Sequence, residues 1–308
     1  MHGIMRTEMI SADKINKISS RRSTPLSRNG AGNSVSVDLR AGSSSIARIK
    51  FASNAMRNEF RVNALETRLN NIFKQNENIV KSVKPSFTKE FAQSVVNKQD
   101  EPIIISITGE SASGKSTLCS LIEECAKAEN LPISFLPADN YFKDISALIK
   151  KYGDFDSLRN SGYDLDAPEN FQLDELRKDI MALKAGEDVK IPKYLINGTG
   201  ISVPKAIDIK NNRVIVIEGM ASGFDNLQEL TDMSIYVDTG EDVRNERFMK
   251  RAISRNQSEK DAVDHWNYVR QAGKKYVQPL ADKSDIVLNG EADIKDAKKL
   301  VEDILSFK

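Results

Sequence analysis

The sequence predicts an α/β protein in which a parallel β-sheet is covered by helices on both faces. Three observations predict it. From Glu101 onward, apolar strand-like runs alternate with segments of helical periodicity, the pattern from which parallel sheets are built. The run Ile103-Ile104-Ile105-Ser106-Ile107 is apolar and β-branched, as a strand buried on both faces must be. Directly behind it, Gly109-Glu110-Ser111-Ala112-Ser113-Gly114-Lys115-Ser116 fits the phosphate-loop spacing G-x-x-x-x-G-K-[ST] at every fixed position.

In order, strands are expected at 103–108, 132–137, 213–218, 233–238 and 284–288, and helices at 115–129, 171–184, 241–255, 258–277 and 293–306. Ligands of such sheets bind at the carboxyl ends of the strands. Upstream, residues 1–54 are basic and rich in Ser, Arg, Asn and Gly, without apolar periodicity, so they are expected to be disordered. Residues 55–98 are expected to be a helical extension. Phe60, Leu65, Leu69, Ile72, Phe73, Ile79 and Val80 form a stripe over 55–83, and a short helix follows at Thr88–Val96. Residues 99–308 then form the nucleotide-binding domain.

Composition narrows the class. The 308 residues are 40% hydrophobic and 29% charged, as in a soluble globular protein. No apolar run reaches the roughly 18 residues a membrane span requires. The net charge of +1 hides an asymmetry: residues 1–98 hold 17 basic and 7 acidic side chains, while the remainder hold 28 and 37. The basic segment is thus expected to act apart from the rest, as an unstructured tail, a targeting signal or a docking segment. No specific nucleic-acid partner is expected. Cys119 and Cys125 lie six apart on one predicted helix, a spacing that excludes a sound disulfide. Free thiols imply a reducing, cytoplasmic setting, with export or organelle targeting through the leader as the alternative. His2 and His265 are the two histidines, which excludes a histidine-rich metal site.

The loop residues from Gly109 to Thr117 are expected to hold the phosphates of a nucleotide. Gly109 and Gly114 permit the backbone angles that aim N–H groups inward. Lys115 reaches the β- and γ-phosphates, and the Ser116 hydroxyl ligates Mg²⁺. After the second strand, Asp139 is placed beside the loop, within reach of Mg²⁺ or of an acceptor hydroxyl, or as a helix cap. Val214-Ile215-Val216-Ile217-Glu218 ends an apolar strand in an acid, which is costly unless that acid is paired or metal-linked. Arg244, Arg247 and Arg251 recur at spacings of three and four on one helix. They form either a solvated face or a lid over the phosphates, with Arg247 stabilising transition-state charge.

Taken together, residues 101–290 resemble the uridine kinase and phosphoribulokinase group of P-loop kinases. Gly109-Glu110-Ser111-Ala112-Ser113-Gly114-Lys115-Ser116-Thr117 is similar to that family's G-x-S-A-S-G-K-[ST]-T loop, and Asp139-Asn140-Tyr141-Phe142 to its Asp-x-Phe-Tyr block. Tyr163-Asp164-Leu165-Asp166-Ala167-Pro168 resembles the family block carrying a substrate-ribose Asp, and Pro192-Lys193-Tyr194 the Pro-x-Tyr of the acceptor pocket. Ile217-Glu218-Gly219-Met220 and Tyr236-Val237-Asp238-Thr239-Gly240-Glu241-Asp242-Val243-Arg244 resemble the metal-side strand and the opening of the lid. The resemblance implies a P-loop kinase fold and an ATP- and Mg²⁺-dependent phosphotransferase. Asp139 would be its base, Asp166 and Tyr194 its acceptor contacts, and the 5′-hydroxyl of uridine or cytidine its acceptor. Two stretches depart from the family. Tyr194-Leu195-Ile196-Asn197-Gly198-Thr199-Gly200 lacks the Asp and His that follow Pro-x-Tyr, and Ser254-Arg255-Asn256-Gln257 stands where the family has Arg-Gly-Arg-Asp. Alternative acceptors are pantothenate, a sugar phosphate or another nucleoside. The alternative from another class is an interaction protein on a P-loop scaffold. ATP and a small-molecule acceptor are the expected partners, and a homo-oligomer is left open.

Overall fold

The structure, a computed structural model, describes residues 36–38, 48–50, 54–98 and 101–306. The expected disorder of 1–54 falls otherwise outside the described residues. Two compact units divide between Arg61 and Val62. In the first, β1 (Ser36–Asp38) pairs antiparallel with β2 (Arg48–Lys50). Helix α1 (Asn54–Gln75) contributes its residues from Val62 onward to the second.

The second unit is built on a six-stranded sheet. Its core is β4 (Ile103–Thr108), flanked by β8 (Val214–Glu218) and β9 (Met233–Asp238). Beyond β8 lies β5 (Ile133–Pro137), and beyond β9 lies β10 (Ile286–Asn289), all five strands parallel. Every strand expected from the sequence is present within two residues. The register aligns their carboxyl ends: Glu218 is level with Ile107 on one side and Pro137 on the other. Because side chains alternate across a strand, β8 sends Val214 and Val216 into one core and Ile215 and Ile217 into the other. The first core is covered by α1, α2 (Phe87–Asn97), α3 (Lys115–Ala128) and α9 (Ile294–Leu305), and the second by α6 (Leu173–Lys184). Cys119 and Cys125 on α3 are free thiols. Among the described residues no helix is long and apolar enough to cross a membrane.

Two regions differ from expectation. The apolar stripe over 55–83 is not one helix. Asn76 ends α1 by donating its side-chain amide to the Ile72 carbonyl at 2.8 Å. The β-branched residues after it enter β3 (Val80–Val83), an edge strand antiparallel to β10. The expected boundary at 98/99 is therefore not a break in the fold. Lys98 and Ser94 both bind Asp232 Oδ1 at 2.7 Å, and the Ile104 amide donates to Asp232 Oδ2 at 2.9 Å. The second difference is an antiparallel hairpin, β6 (Val189–Tyr194) with β7 (Ser202–Ile209), where no element was expected. β7 is largely exposed, and Pro192 and Pro204 interrupt the two strands, so the apolar alternation of β6 is cut short after Val189 and Ile191.

Removal of residues 1–98 strips Leu69, Ile72, Phe73, Ile79, Phe87 and Phe91 from the first core. At roughly 1.5–3 kcal/mol for each buried side chain, the loss is on the order of 10 kcal/mol, comparable to the whole stability of a typical domain. The truncated chain is expected not to fold. Circular dichroism and a urea melt of residues 99–308 check this, and a cooperative transition near that of the full chain would refute it.

Candidate functional site

The phosphate loop leaves β4 at Gly109, whose φ of +148° and surroundings both require glycine. A Cβ there would lie 2.6 Å from the Val237 carbonyl oxygen and 2.8 Å from Ser113 Oγ. Gly114, at φ +110°, turns the chain into α3, so that the helix's free N–H groups face the cleft. Ala112 also adopts a left-handed φ of +64°, at a cost of roughly 1–2 kcal/mol. Lys115 Nζ donates to the carbonyls of Gly109 at 2.9 Å and Glu110 at 3.1 Å. Burial lowers its pKa, and the nearby Glu218 and Asp139 act against that. Its partners are carbonyls rather than carboxylates, so the ammonium charge stays available to an anion.

Three carboxylates face this loop across a cleft of about 800 Å³. Asp139 follows β5 by two residues and accepts the Met220 amide at 3.0 Å. Gly219 makes the approach possible, since a Cβ there would sit 2.5 Å from Asp139 Oδ1. Asp139 is open to solvent on its cleft side, yet the protein packed around it raises its pKa by desolvation against the pull of Lys115 and the Met220 N–H. Glu218 is raised by burial and by Asp139, opposed by Lys115 and by a hydrogen bond with Ser116. Asp166 is pushed up to about 7 by burial, then by the charges of Asp139 and Asp164. Among the described residues no three His, Cys, Asp or Glu side chains form a metal cage. One or two carboxylates and a hydroxyl, completed by phosphate oxygens and water, is a donor set that suits Mg²⁺. Ser116, Glu218 and Asp139 fit that description.

Helix α7 (Glu241–Ser254) supplies the arginines. Arg247 donates to the Ser113 carbonyl at 3.4 Å and the Gly290 carbonyl at 3.0 Å, and Arg251 to Ser111 Oγ at 3.1 Å. Both border the cleft together with Gly109, Ser111, Ala112, Gly114, Lys115, Ser116, Thr117, Asp139, Asp166 and Glu218.

Four expected residues do not line it. Arg244 and Glu110 form an ion pair at 3.0 Å, with side chains 3% and 7% exposed. Arg244 also donates Nε to the Thr239 carbonyl at 3.1 Å and lies 5.5 Å from the centre of the Trp266 ring. The three- and four-residue spacing is real, but the first turn of α7 packs against the loop, so Arg244 braces the loop from behind and is not part of an open lid. Ser113 is 1% exposed, and its carbonyl is held by Thr239 Oγ1 at 2.7 Å. Tyr194 stands behind Phe142, ring centres 5.2 Å apart, with its N–H on Asn140 Oδ1 at 3.2 Å.

Sequence reasoning missed several lining residues. Phe142, Ile196 and Arg255 stand inside recognised stretches but were not assigned to the site, and Ile79 came from the extension. Ile79 reaches the cleft because its carbonyl accepts the Asn289 amide at 2.7 Å, a pairing that no local pattern announces.

Residues 104–295 match the phosphoribulokinase / uridine kinase family, which is more than half of the chain. The chain belongs to that family. Among similar proteins are the uridine kinase of Chlamydia pneumoniae, 30% identical over 67% of this chain and 88% of that one, and uridine-cytidine kinase B of Dictyostelium discoideum, 28% identical over 67% and 82%. Uridine-cytidine kinase A of the same organism is 32% identical over 61% of this chain, but the match spans only 36% of that longer protein. A proposed fructose transport system kinase of Silicibacter has the same fold, with a TM-score of 0.50 at 21% identity over 73% of this chain and 98% of that one. The family match begins after β3, so Ile79 and the edge strand lie outside it.

Two measurements check this geometry. Arg244→Met leaves Glu110 buried without its partner and is expected to cost about 3–5 kcal/mol, read as a lower urea midpoint. The second concerns Asp166. Its carboxyl keeps its proton up to about 7 in the folded chain but ionises near 3.8 when unfolded, so the folded state binds more protons between these values. Without Mg²⁺ and nucleotide, stability is therefore expected to fall as pH rises from about 4 to 7. Asp166→Asn should flatten that slope, and an unchanged slope would refute the assignment.

Proposed function

We propose that this chain is an ATP-dependent kinase that transfers the γ-phosphoryl group to a hydroxyl of a small, sugar-bearing metabolite, with the 5′-hydroxyl of uridine or cytidine as the acceptor. The observation that carries this reading is the convergence of Asp139, Glu218, Lys115 and Ser116 on one side of the cleft. A phosphate cradle alone binds a nucleotide. A carboxylate poised beside it, held by the Met220 amide, gives the attacking hydroxyl a base within reach.

In the reaction, Asp139 takes the proton of the acceptor hydroxyl as its oxygen bonds to the γ-phosphorus. The bond from that phosphorus to the β–γ bridging oxygen breaks, and ADP leaves with the electron pair. Lys115, the loop amides and the N-terminus of α3 stabilise the charge that spreads over the phosphoryl oxygens. Arg247 and Arg251, anchored on the loop, cover the same charge. Mg²⁺, when bound, neutralises phosphate charge, and Ser116 and Glu218 with Asp139 are the residues to hold it. Asp166 accepts hydrogen bonds from the sugar hydroxyls in its ionised form, so acceptor binding weakens below pH of about 7. Tyr194 supports the acceptor wall through Phe142.

A second reading, in which the acceptor is not a pyrimidine nucleoside, is favoured by the hairpin. The hairpin tip presents Ile196, 90% exposed, to the cleft, where base recognition calls for polar groups. A panel of uridine, cytidine, pantothenate and sugar phosphates with an ADP-release readout separates the two. Lys115→Ala is expected to abolish turnover. Asp139→Asn is expected to lower kcat by about 10²–10⁴-fold while ATP still binds by calorimetry. Full activity of the Asp139→Asn protein would remove the mechanism.

A further inference from the structure

Asp164 has no part in the chemistry above, yet three side chains converge on it. Helix α8 (Glu259–Ala272) continues directly into a π-turn, Gly273–Val277. From α8, the Tyr268 hydroxyl donates to Asp164 Oδ1 at 3.1 Å and accepts the backbone N–H of Asp166 at 3.1 Å. From the π-turn, the Tyr276 hydroxyl donates to Asp164 Oδ2 at 2.6 Å, and Lys275 Nζ lies 3.2 Å from the same oxygen. Burial pushes the Asp164 carboxyl up, but the hydrogen bonds from Tyr276, Lys275 and Tyr268 outweigh it and hold it below its usual value. It is thus an anion under neutral conditions.

The same helix grips α7. Arg270 and Lys274 pair with Glu241 at 2.9 and 2.7 Å, and Trp266 lies under Arg244. Helix α7 in turn carries Arg247 and Arg251, which touch the phosphate loop. One rigid helix therefore has the acceptor loop on one side and the phosphate-loop arginines on the other.

We propose that Asp164 and Tyr268 are positioning residues: by holding the backbone of Asp166 they fix the acceptor relative to Asp139 and tie the acceptor loop to the α7–α8 pair. The proposal rests on the kinase reading above. Tyr268 is the decisive link because its single hydroxyl both donates to Asp164 and accepts from Asp166. Misplacing a substrate-orienting group by about an ångström is enough to lose up to 10²-fold in rate. The Lys275–Asp164 pair, with side chains 64% and 35% exposed, is by contrast a weak contributor to stability.

The test uses the full chain with Tyr268→Phe, Asp164→Asn and, as a control, Tyr152→Phe, whose exposed side chain makes none of these hydrogen bonds. In ligand-free protein, amide hydrogen exchange over 163–171 is expected to quicken by roughly tenfold in the first two variants, the worth of about one hydrogen bond. It should not change in the control. Affinity for a non-hydrolysable ATP analogue should stay within about twofold, while uridine kcat/KM falls by roughly tenfold, mainly through KM. Unchanged exchange in both variants overturns the proposal, as does quickened exchange with uridine kcat/KM near wild type. If the wild-type chain does not turn over uridine, the acceptor assignment alone has failed. The exchange result then decides the proposal, with kinetics read on whichever panel acceptor is phosphorylated.

Discussion

The parallel register of the central strands is the constraint on which everything else depends. With Ile107, Glu218 and Pro137 level with one another, the chain leaves β4, β8 and β5 at a single edge. The phosphate loop, Glu218 and Asp139 follow from that edge within a few residues, although they are far apart in sequence. Parallel strands require long crossovers, and the crossovers here carry the remaining machinery. The segment between β5 and β8 holds the loop that carries Asp164 and Asp166, α6 and the hairpin, and α7 and α8 lie between β9 and β10. Antiparallel pairing of these strands would scatter the same residues over both ends of the sheet.

That convergence has an electrostatic cost. Asp139, Glu218 and Asp166 all hold their protons more tightly than free carboxyls, and Lys115 holds its proton less tightly, each chiefly because of burial. Such a site is frustrated when empty. A triphosphate with its metal would relieve both sides, since its negative charge would suit Lys115, Arg247 and Arg251 while its cation would suit the acids. The buried Glu110–Arg244 pair is different in kind. It is closed to the cleft and joins the phosphate loop to the first turn of α7, and Gly273 packs so closely that a Cβ would sit 2.6 Å from Glu110 Oε1. Loop, α7 and the turn after α8 are thereby held as one body.

The segment before β4 belongs to the same fold. The family match starts at residue 104, while the compact unit starts at Val62. The intervening residues add an edge strand and two aromatic pairs, Phe73–Phe87 and Phe87–Phe91, at ring separations of 6.2 and 5.5 Å. They also bring Ile79 to the nucleotide cleft.

The sequence by itself determined the five parallel strands, the phosphate loop and the two acids placed just after β5 and at the end of β8. These are legible because a buried parallel strand is a continuous apolar run, and ligand groups must follow its carboxyl end. It also determined that α7 bears a row of arginines. Only the tertiary structure decided which of them face the cleft. Arg244 has the same spacing as Arg247 and Arg251, and what separates them is the packing of one helical turn against Glu110 and Trp266. Likewise Val80 continues a helical stripe on paper, yet it pairs with Leu288, more than two hundred residues away. The Tyr268 bridge between Asp164 and Asp166 spans about a hundred residues. Local periodicity records which side a residue buries. It carries no record of the distant partner that side will meet, and in this protein those partners separate bracing groups from binding groups.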